Sequence, residues 1–264
     1  MRPLLEARAI RRLGPAKVAR QSGATLAEFV IAGPIAILMI LALIQVGLMM
    51  TAKQIVNEAA FEAARMGASE HAVKKEVMSA LRRQLLPFYQ DSTEKSDAKR
   101  LAAAVLAEAR ELDLNVSLIS GPKLTVQRLS PPESAFQDFG IQVDNGNGQR
   151  VLAIPNDNLE YRLYDQYKGP RSGLTIQDAN ELRIKVVYAY ELKVPLMKTV
   201  LRSVLCGFDS GVNAFGRGNL DSVVVRETAN LDCFNYYNRG RVPITSYATV
   251  QMQSDAWQDS NWGS

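Results

Sequence analysis

The chain is poor in the residues that most catalytic and metal sites require. Its 264 residues include one histidine, His71, and two cysteines, Cys206 and Cys233. No CxxC motif is present and the histidine is far from both cysteines in sequence, so no metal site is expected. Acid–base or nucleophilic catalysis needs a base beside a nucleophile, and the carboxylates are scattered. The sequence therefore predicts no enzyme and no cofactor, with His71 on the solvated face of a helix.

Two glycine-containing loops also lack the residues that would make them ligand sites. Residues 144–148, DNGNG, lack the later bidentate Glu of a calcium loop and instead indicate a hairpin turn. Residues 208–220, FDSGVNAFGRGNL, have neither a preceding strand nor a GKS or GKT ending. A phosphate-binding loop is therefore not predicted there.

Charge is missing from one long segment. Residues 29–50 contain no charged side chain, and Gln45 is their only strongly polar residue. As a helix, a segment of this length spans about 33 Å, which matches the hydrocarbon core of a bilayer. A core helix of a soluble protein would instead carry a polar stripe. The sequence predicts a transmembrane helix over residues 24–50.

Positive charge is concentrated before this segment. Residues 1–23 have a net charge of +5, whereas the whole chain has +4. The remainder is close to neutral, so the basic balance gives no reason to expect nucleic acid binding. The positive-inside rule places the tail in the cytoplasm and the body outside. The basic residues of the tail, opposed only by Glu6, are Arg2, Arg8, Arg11, Arg12, Lys17 and Arg20.

Both cysteines lie in the exported part. Disulfides persist in a periplasmic or extracellular compartment, so Cys206 and Cys233 are expected to pair. The alternative is two unpaired buried thiols.

Beyond the apolar segment, the pattern is first helical. The helix is predicted to continue over residues 51–68, and apolar side chains from Val73 to Leu85 form one helical stripe. A further helix is expected over residues 95–112. Together these form a periplasmic helical region, residues 51–112.

The pattern then alternates with period two. Strands are predicted at residues 114–120, 123–129, 181–192 and 242–254, with a short helix within 195–207. Residues 113–264 are therefore predicted to be an α+β head, in which an antiparallel sheet of about four strands is accompanied by additional helices.

Small residues recur in two rows on the continuing helix. Such rows let another helix approach closely, but alanine is also the best helix former, and both explanations stay open. The six residues are Ala59, Ala63, Gly67, Ala60, Ala64 and Ala68.

The boundary between tail and apolar segment, SGATLAEFVIAGPIAIL, resembles the class III signal of type IV pilins and pseudopilins. A glycine precedes the cut and a glutamate is fifth in the mature chain. Three further segments follow it in the chain: VNEAAFEAARMGA, LRIKVVYAYELKVP and VPITSYATVQMQS. The four segments, in this order, are similar to those of TadE-like minor pilins of tight-adherence (Tad) systems. The resemblance implies that a prepilin peptidase cuts between Gly23 and Ala24, removes a basic leader and leaves the apolar helix in place.

The resemblance also implies a function. The chain is expected to be a single-pass inner-membrane protein with a periplasmic head that assembles with minor and major pilins. An assembly platform and ATPase would act indirectly, and incorporation into an extracellular adhesive pilus would follow. No small-molecule substrate is implied. The alternatives are a minor pseudopilin of a type II secretion-like system and an uncleaved single-span scaffold.

Glu28 is a carboxylate at the edge of the apolar segment. Cleavage after Gly23 would create an α-amine on Ala24, and an unpaired carboxylate at the hydrocarbon edge costs several kcal/mol, on the order expected for a poorly solvated charge. The resemblance implies pairing between subunits, which makes Glu28 an assembly residue. The alternative is that Glu28 reaches headgroup water.

Gly33-Pro34 interrupts the apolar segment. A proline within a helix removes one hydrogen bond, so the pair is expected either to form a kink or melted turn that helps the helix leave the bilayer for a filament, or to be a tolerated membrane proline.

Overall fold

The computed structural model describes residues 24–90, 96–111, 123–146, 148–161, 167–200 and 236–262. Its architecture is α+β, with a long N-terminal helix, antiparallel sheets and additional helices, as predicted. The helices are α1 Ala24–Ser69, α2 Lys74–Leu85, α3 Asp97–Glu111, α4 Glu133–Phe139 and α5 Ile176–Ala179. The strands are β1 Leu124–Ser130, β2 Ile141–Asp144, β3 Arg150–Ile154, β4 Glu181–Glu191, β5 Arg241–Gln251 and β6 Ala256–Trp257.

Helix α1 is 46 residues long and continues past the apolar segment, as the sequence predicts. Its contacts divide the chain into one unit that ends at Ala42 and a second that begins at Leu43. In the second unit the composition changes after Met50 from uniformly apolar to a stripe of alanine and valine between polar residues. That stripe is the face that α1 buries in the head.

The first sheet has the order β1-β4-β5 and is antiparallel throughout. Along β4 buried and exposed positions alternate, with Leu182, Ile184 and Val186 fully buried. Since side chains of a strand point alternately to opposite faces, these residues lie on one face. They belong to the same hydrophobic cluster as the buried stripes of α1 and α2. In the structure, α1 and α2 therefore form a helical layer on one face of this sheet. From here on, "head" means this whole second unit, from Leu43 onward.

A second sheet has the order β2-β3-β6. The hairpin predicted around residues 145–148 is confirmed, since Asp144 pairs with Arg150 and its Oδ1 accepts hydrogen bonds from Gly146 N and Gly148 N. Three of the four predicted strands form the first sheet, and the fourth, at residues 114–120, lies outside the described residues. Beyond its hairpin the second sheet was not predicted; β6 completes it by pairing with Ala153 and Ile154 of β3.

The connection between α1 and α2 corrects the prediction for His71. His71 and Ala72 have φ of 59° and 55°, so the chain turns there instead of continuing a helix. The imidazole stacks on Trp257 with ring centroids 3.9 Å apart, and Nδ1 lies 2.9 Å from Asp255 O. His71 is a half-buried turn residue and not a solvated residue on a helix face.

The remaining helix predictions are confirmed within the described residues. Val77, Leu81 and Leu85 form the buried stripe of α2, and the helix expected at residues 95–112 is α3. Residues 197–200 are helical, but most of the predicted short helix lies outside the described residues. The strand predicted at 114–120 also lies outside them, as do Cys206, Cys233 and residues 208–220.

Candidate functional site on the N-terminal helix

Helix α1 begins at Ala24, the residue that would start the mature chain, and Gly23 lies outside the described residues. Glu28 is one turn farther along and its side chain is exposed. Residues four apart share a face of a helix, so residue 28 lies on the same side as the first residue of α1. The backbone thus places the carboxylate one turn from the predicted new amine, and the roles of Gly23, Ala24 and Glu28 stay predictions.

The apolar surface of α1 is the largest unusual feature of the described residues. This is the one helix among them that is long and apolar enough to cross a membrane, and only 6% of its most apolar window is buried. Because the core helix of a soluble protein would be mostly buried, the exposure favours a membrane environment. The structure is therefore compatible with a single-pass membrane protein.

The proline of this segment does not end the helix. Pro34 lies inside α1, which remains helical on both sides of it. A Cβ added to Gly33 would be 4.0 Å from the Phe29 ring, an ordinary packing distance. The helix does not unwind at residue 34, so the structure shows no melted turn there. A kink and a tolerated membrane proline are both compatible with a continuous helix.

Gln45, the polar exception in the apolar segment, is buried in the head. Its Oε1 accepts a hydrogen bond of 3.0 Å from Val194 N, in the segment that follows β4. The Nε2 atom is also buried and has no partner. The isolated glutamine was noted in the sequence, but its partner is 149 residues away and could not be inferred. The hydrogen bond fixes the segment after β4 beside residue 45 of α1.

The six small residues predicted for helix packing are buried in the chain's own head. A Cβ added to Gly67 would lie 2.5 Å from Val77 Cγ2 and 2.8 Å from Leu182 Cδ2. Helix α2 and the sheet therefore approach α1 as closely as the rows allow. Ala59, Ala60, Ala63, Ala64 and Ala68 are fully buried. Whether a partner helix also uses these rows stays a prediction.

A groove lies between α1 and the start of β5. It has a volume of about 560 Å³ and is lined mainly by apolar side chains, including Met49, Met50 and Val242. On its floor Lys53 Nζ donates a hydrogen bond to Thr245 O. Within the described sheet β5 is an edge strand, and this lysine together with Pro243 limits pairing at its first half.

Arg128 is a buried cation that sequence reasoning missed. Its side chain is 3% exposed, and the guanidinium lies 4.9 Å from the centroid of Phe136 and 5.6 Å from that of Trp262. Burial lowers the pKa of Arg128 from its ordinary value, although the carboxylates of Glu133 and Asp259 oppose the shift. The strand pattern of KLTVQRL contained no signal for it, because the two rings come from distant segments. Arg128 joins β1 to α4 and the C-terminal region.

Among the described residues there is no group of three or more His, Cys, Asp or Glu side chains that could hold a metal ion. The half-exposed carboxylate of Asp138 accepts bonds from Ser172 N at 2.8 Å and Ser172 Oγ at 2.7 Å. Desolvation raises the pKa of Asp138, but these bonds and those from Arg171 N outweigh it and lower the pKa overall. Asp138 thereby ties α4 to the loop at residues 169–174.

Comparison with curated proteins and with solved structures gives no significant match. A match to a protein family is found at the N-terminus, over a segment that begins at the predicted cleavage site and ends inside α1. Residues 23–65 match the family model described as TadE-like protein, which confirms the resemblance predicted for this part of the chain.

Proposed function

We propose that the protein is a minor pilin, processed by a prepilin peptidase, that takes part in assembling a Tad-type pilus. The observation that carries the proposal is the TadE-like match at residues 23–65, which coincides with an exposed apolar helix starting at Ala24. The protein would act by helix packing and by binding other pilins, and not as an enzyme. It would be anchored in the inner membrane with its head in the periplasm.

The difference in exposure between the two halves of α1 supports this function. Its first half exposes apolar side chains, whereas its second half is held in the head by the alanine face. The exposed half offers a continuous surface to lipid or to equivalent helices of other pilins. The head, which is built from distant parts of the chain, would present the surfaces that select partners.

The experiment is N-terminal sequencing of the chain isolated from membranes of cells with and without the prepilin peptidase. We expect a mature chain that starts at Ala24 only when the peptidase is present. Gly23→Leu should keep Met1, because a bulky residue replaces the glycine before the cut. Gly14→Leu, a matched change elsewhere in the tail, should be processed normally.

Two results would contradict the proposal. One is a mature chain that starts near Thr51, as a conventional signal peptidase would produce. The other is an intact Met1 in cells with active peptidase, which would favour the uncleaved scaffold.

A further inference from the structure

Beside Gln45 of α1, the segment that follows β4 also exposes apolar side chains. After β4, residues 192–200 alternate between buried and exposed positions, with Leu192, Val194 and Met197 buried. Leu196 is 60% exposed and Val200 is also exposed. We refer to residues 192–200 as the post-β4 segment. Its buried side chains hold it to the head, and its exposed apolar side chains have no cover among the described residues.

This segment is fixed in position beside α1. Val194 N donates to Gln45 Oε1 at 3.0 Å, and Leu192 N donates to Gly240 O at 3.1 Å, just before β5. The exposed conformation is therefore not that of a loose loop. Leu196 also has a φ of 67°, a left-handed conformation that is costly for a residue with a Cβ. The fold holds the leucine outward despite that cost.

The neighbouring part of α1 is equally apolar and exposed. The following side chains, all in the same unit as the post-β4 segment, are exposed hydrophobics: Leu43, Ile44, Val46, Leu48 and Met50. The groove lined by Met49, Met50 and Val242 opens along the same stretch. Two segments joined by the Gln45–Val194 hydrogen bond thus both expose apolar side chains at this end of the head, which is more than isolated exposed residues would give.

The balance of charge on this end is positive. The post-β4 segment contains Lys193 and Lys198, both exposed, and no carboxylate. The adjacent Glu191 is paired with Lys198 Nζ at 2.8 Å, which leaves Lys193 as excess positive charge. Lysine ammonium groups beside exposed leucine and valine are typical of surfaces that lie at the boundary of an anionic bilayer.

We propose that this end of the head lies on the bilayer, with Leu196 and Val200 in the interfacial region and Lys193 at the lipid phosphates. The occupant is lipid and not a partner protein, because the patch lies in the same unit as residues 43–50, the last part of the uncharged segment of α1. The bilayer boundary then meets α1 near Gln45. Residues 24–44 would form a helix of about 31 Å, of which the uncharged part, residues 29–44, is about 24 Å long, so the bilayer would thin locally to keep Glu28 at its edge. The inference requires membrane insertion of α1, but neither peptidase processing nor pilus assembly.

Photo-cross-linking to lipid tests this placement. The full chain, reconstituted in vesicles of phosphatidylethanolamine and phosphatidylglycerol, would carry p-benzoylphenylalanine in place of Leu196 or, in a second variant, Val200. Met39→p-benzoylphenylalanine reports insertion of α1. Tyr247→p-benzoylphenylalanine is the matched control, since Tyr247 is 57% exposed but lies about 20 Å along β5 from Arg241.

We expect lipid adducts from positions 196, 200 and 39 and almost none from 247. Adding Lys193→Gln to the Leu196 variant should lower the adduct yield several-fold in these vesicles and have little effect in vesicles of neutral phosphatidylcholine. The surface assignment is overturned, with the proposed function intact, if position 39 gives adducts but 196 and 200 resemble 247. Adducts of 196 to a second protein chain would also overturn it. An absence of adducts at 39 would show that α1 does not span the bilayer and would overturn both proposals.

Discussion

At the scale of single residues, Gly67 shows how the alanine face works. Val77 Cγ2 and Leu182 Cδ2 occupy the space that a side chain at position 67 would need. Both neighbouring residues are fully buried, so neither can move away without disturbing the core. Close approach, and not only helix propensity, therefore explains this glycine. In the sequence, the two rows of small residues were ambiguous on this point, because alanine suits both close helix packing and helix formation.

We expect Gly67→Ala to destabilise the head. Overpacking costs about 1–3 kcal/mol, while replacing glycine by alanine within a helix returns about 1 kcal/mol. The net effect should be a lower midpoint in chemical or thermal unfolding of the detergent-solubilised chain. Gly47→Ala is the matched control on the same helix, because a Cβ there meets nothing within 4 Å. Equal midpoints for the two variants would show that the core accommodates the methyl group.

At the scale of elements, an ion pair joins α2 to α3. The Arg82 guanidinium bonds both carboxylate oxygens of Glu108, with Nη2 3.0 Å from Oε2. The Glu108 side chain is 6% exposed, whereas Arg82 is 41% exposed. The hydrogen bond to Glu108 raises the pKa of Arg82 above its ordinary value, against desolvation. Because the Glu108 carboxylate is buried, it needs the Arg82 guanidinium to compensate its charge, whereas Arg82 can reach water.

Arg82→Met should detach α3. Leaving a buried carboxylate unpaired costs about 3–5 kcal/mol, and water reaching the partly exposed site would reduce this to about 2–3 kcal/mol. Limited proteolysis should then cut between α2 and α3 faster than in the wild type. Arg83→Met, a change at the next position, should have little effect because Arg83 is exposed and bonds only Ser79 O at 3.4 Å. Similar cleavage rates for both variants would show that the ion pair does not hold α3 to α2.

The elements differ in how well the sequence predicts them. Strands β4 and β5 are long, alternating and rich in branched or aromatic residues, so local pattern was sufficient. Strand β6 has only two residues and exists because β3 offers it an edge. The turn at His71 has φ above 50° without a glycine or asparagine, and its stability comes from Trp257. Local sequence cannot reveal structure that a segment about 180 residues away imposes.

At the scale of the whole molecule, the sequence displays the local patterns of the candidate site but not its long-range contacts. The apolar length of residues 29–50 and the spacing of Gly23, Ala24 and Glu28 are local patterns that the sequence displays directly. That Gln45 is bonded to the head, and that the small residues are buried there, depends on long-range packing. The surface of α1 available to partners is consequently its opposite face, which includes Asn57 and Phe61.

We expect Glu28→Gln to impair assembly and not folding. The variant keeps its size, while loss of the charge should ease insertion and leave the cleavage site untouched. A neutral amide cannot replace a carboxylate paired with an α-amine in a low dielectric, so incorporation into pili should fall. Glu58→Gln, on the exposed side of the same helix, is the control. Cross-linking from Asn57 and Phe61 to partner pilins is the measurement.

Wild-type piliation and cross-linking by the Gln variant would show that Glu28 is only a boundary residue. Failure of the variant to be cleaved would instead assign Glu28 to peptidase recognition. The pairing of Cys206 and Cys233 also remains a prediction, since both lie outside the described residues.

The turn between α1 and α2 has a consequence for biosynthesis. Ala68 O accepts bonds from Gln253 N and Ser254 Oγ, Lys74 N donates to Asp259, and Trp262 Nε1 donates to Ala72 O. This early turn of the head is thus completed by residues 185–190 positions later in the chain. If the chain is exported as proposed, α1 can enter the membrane while the head is still being translocated, but the head cannot close until residues 253–262 have crossed. Until then the alanine face of α1 would be uncovered, and chaperones on the far side of the membrane could bind it.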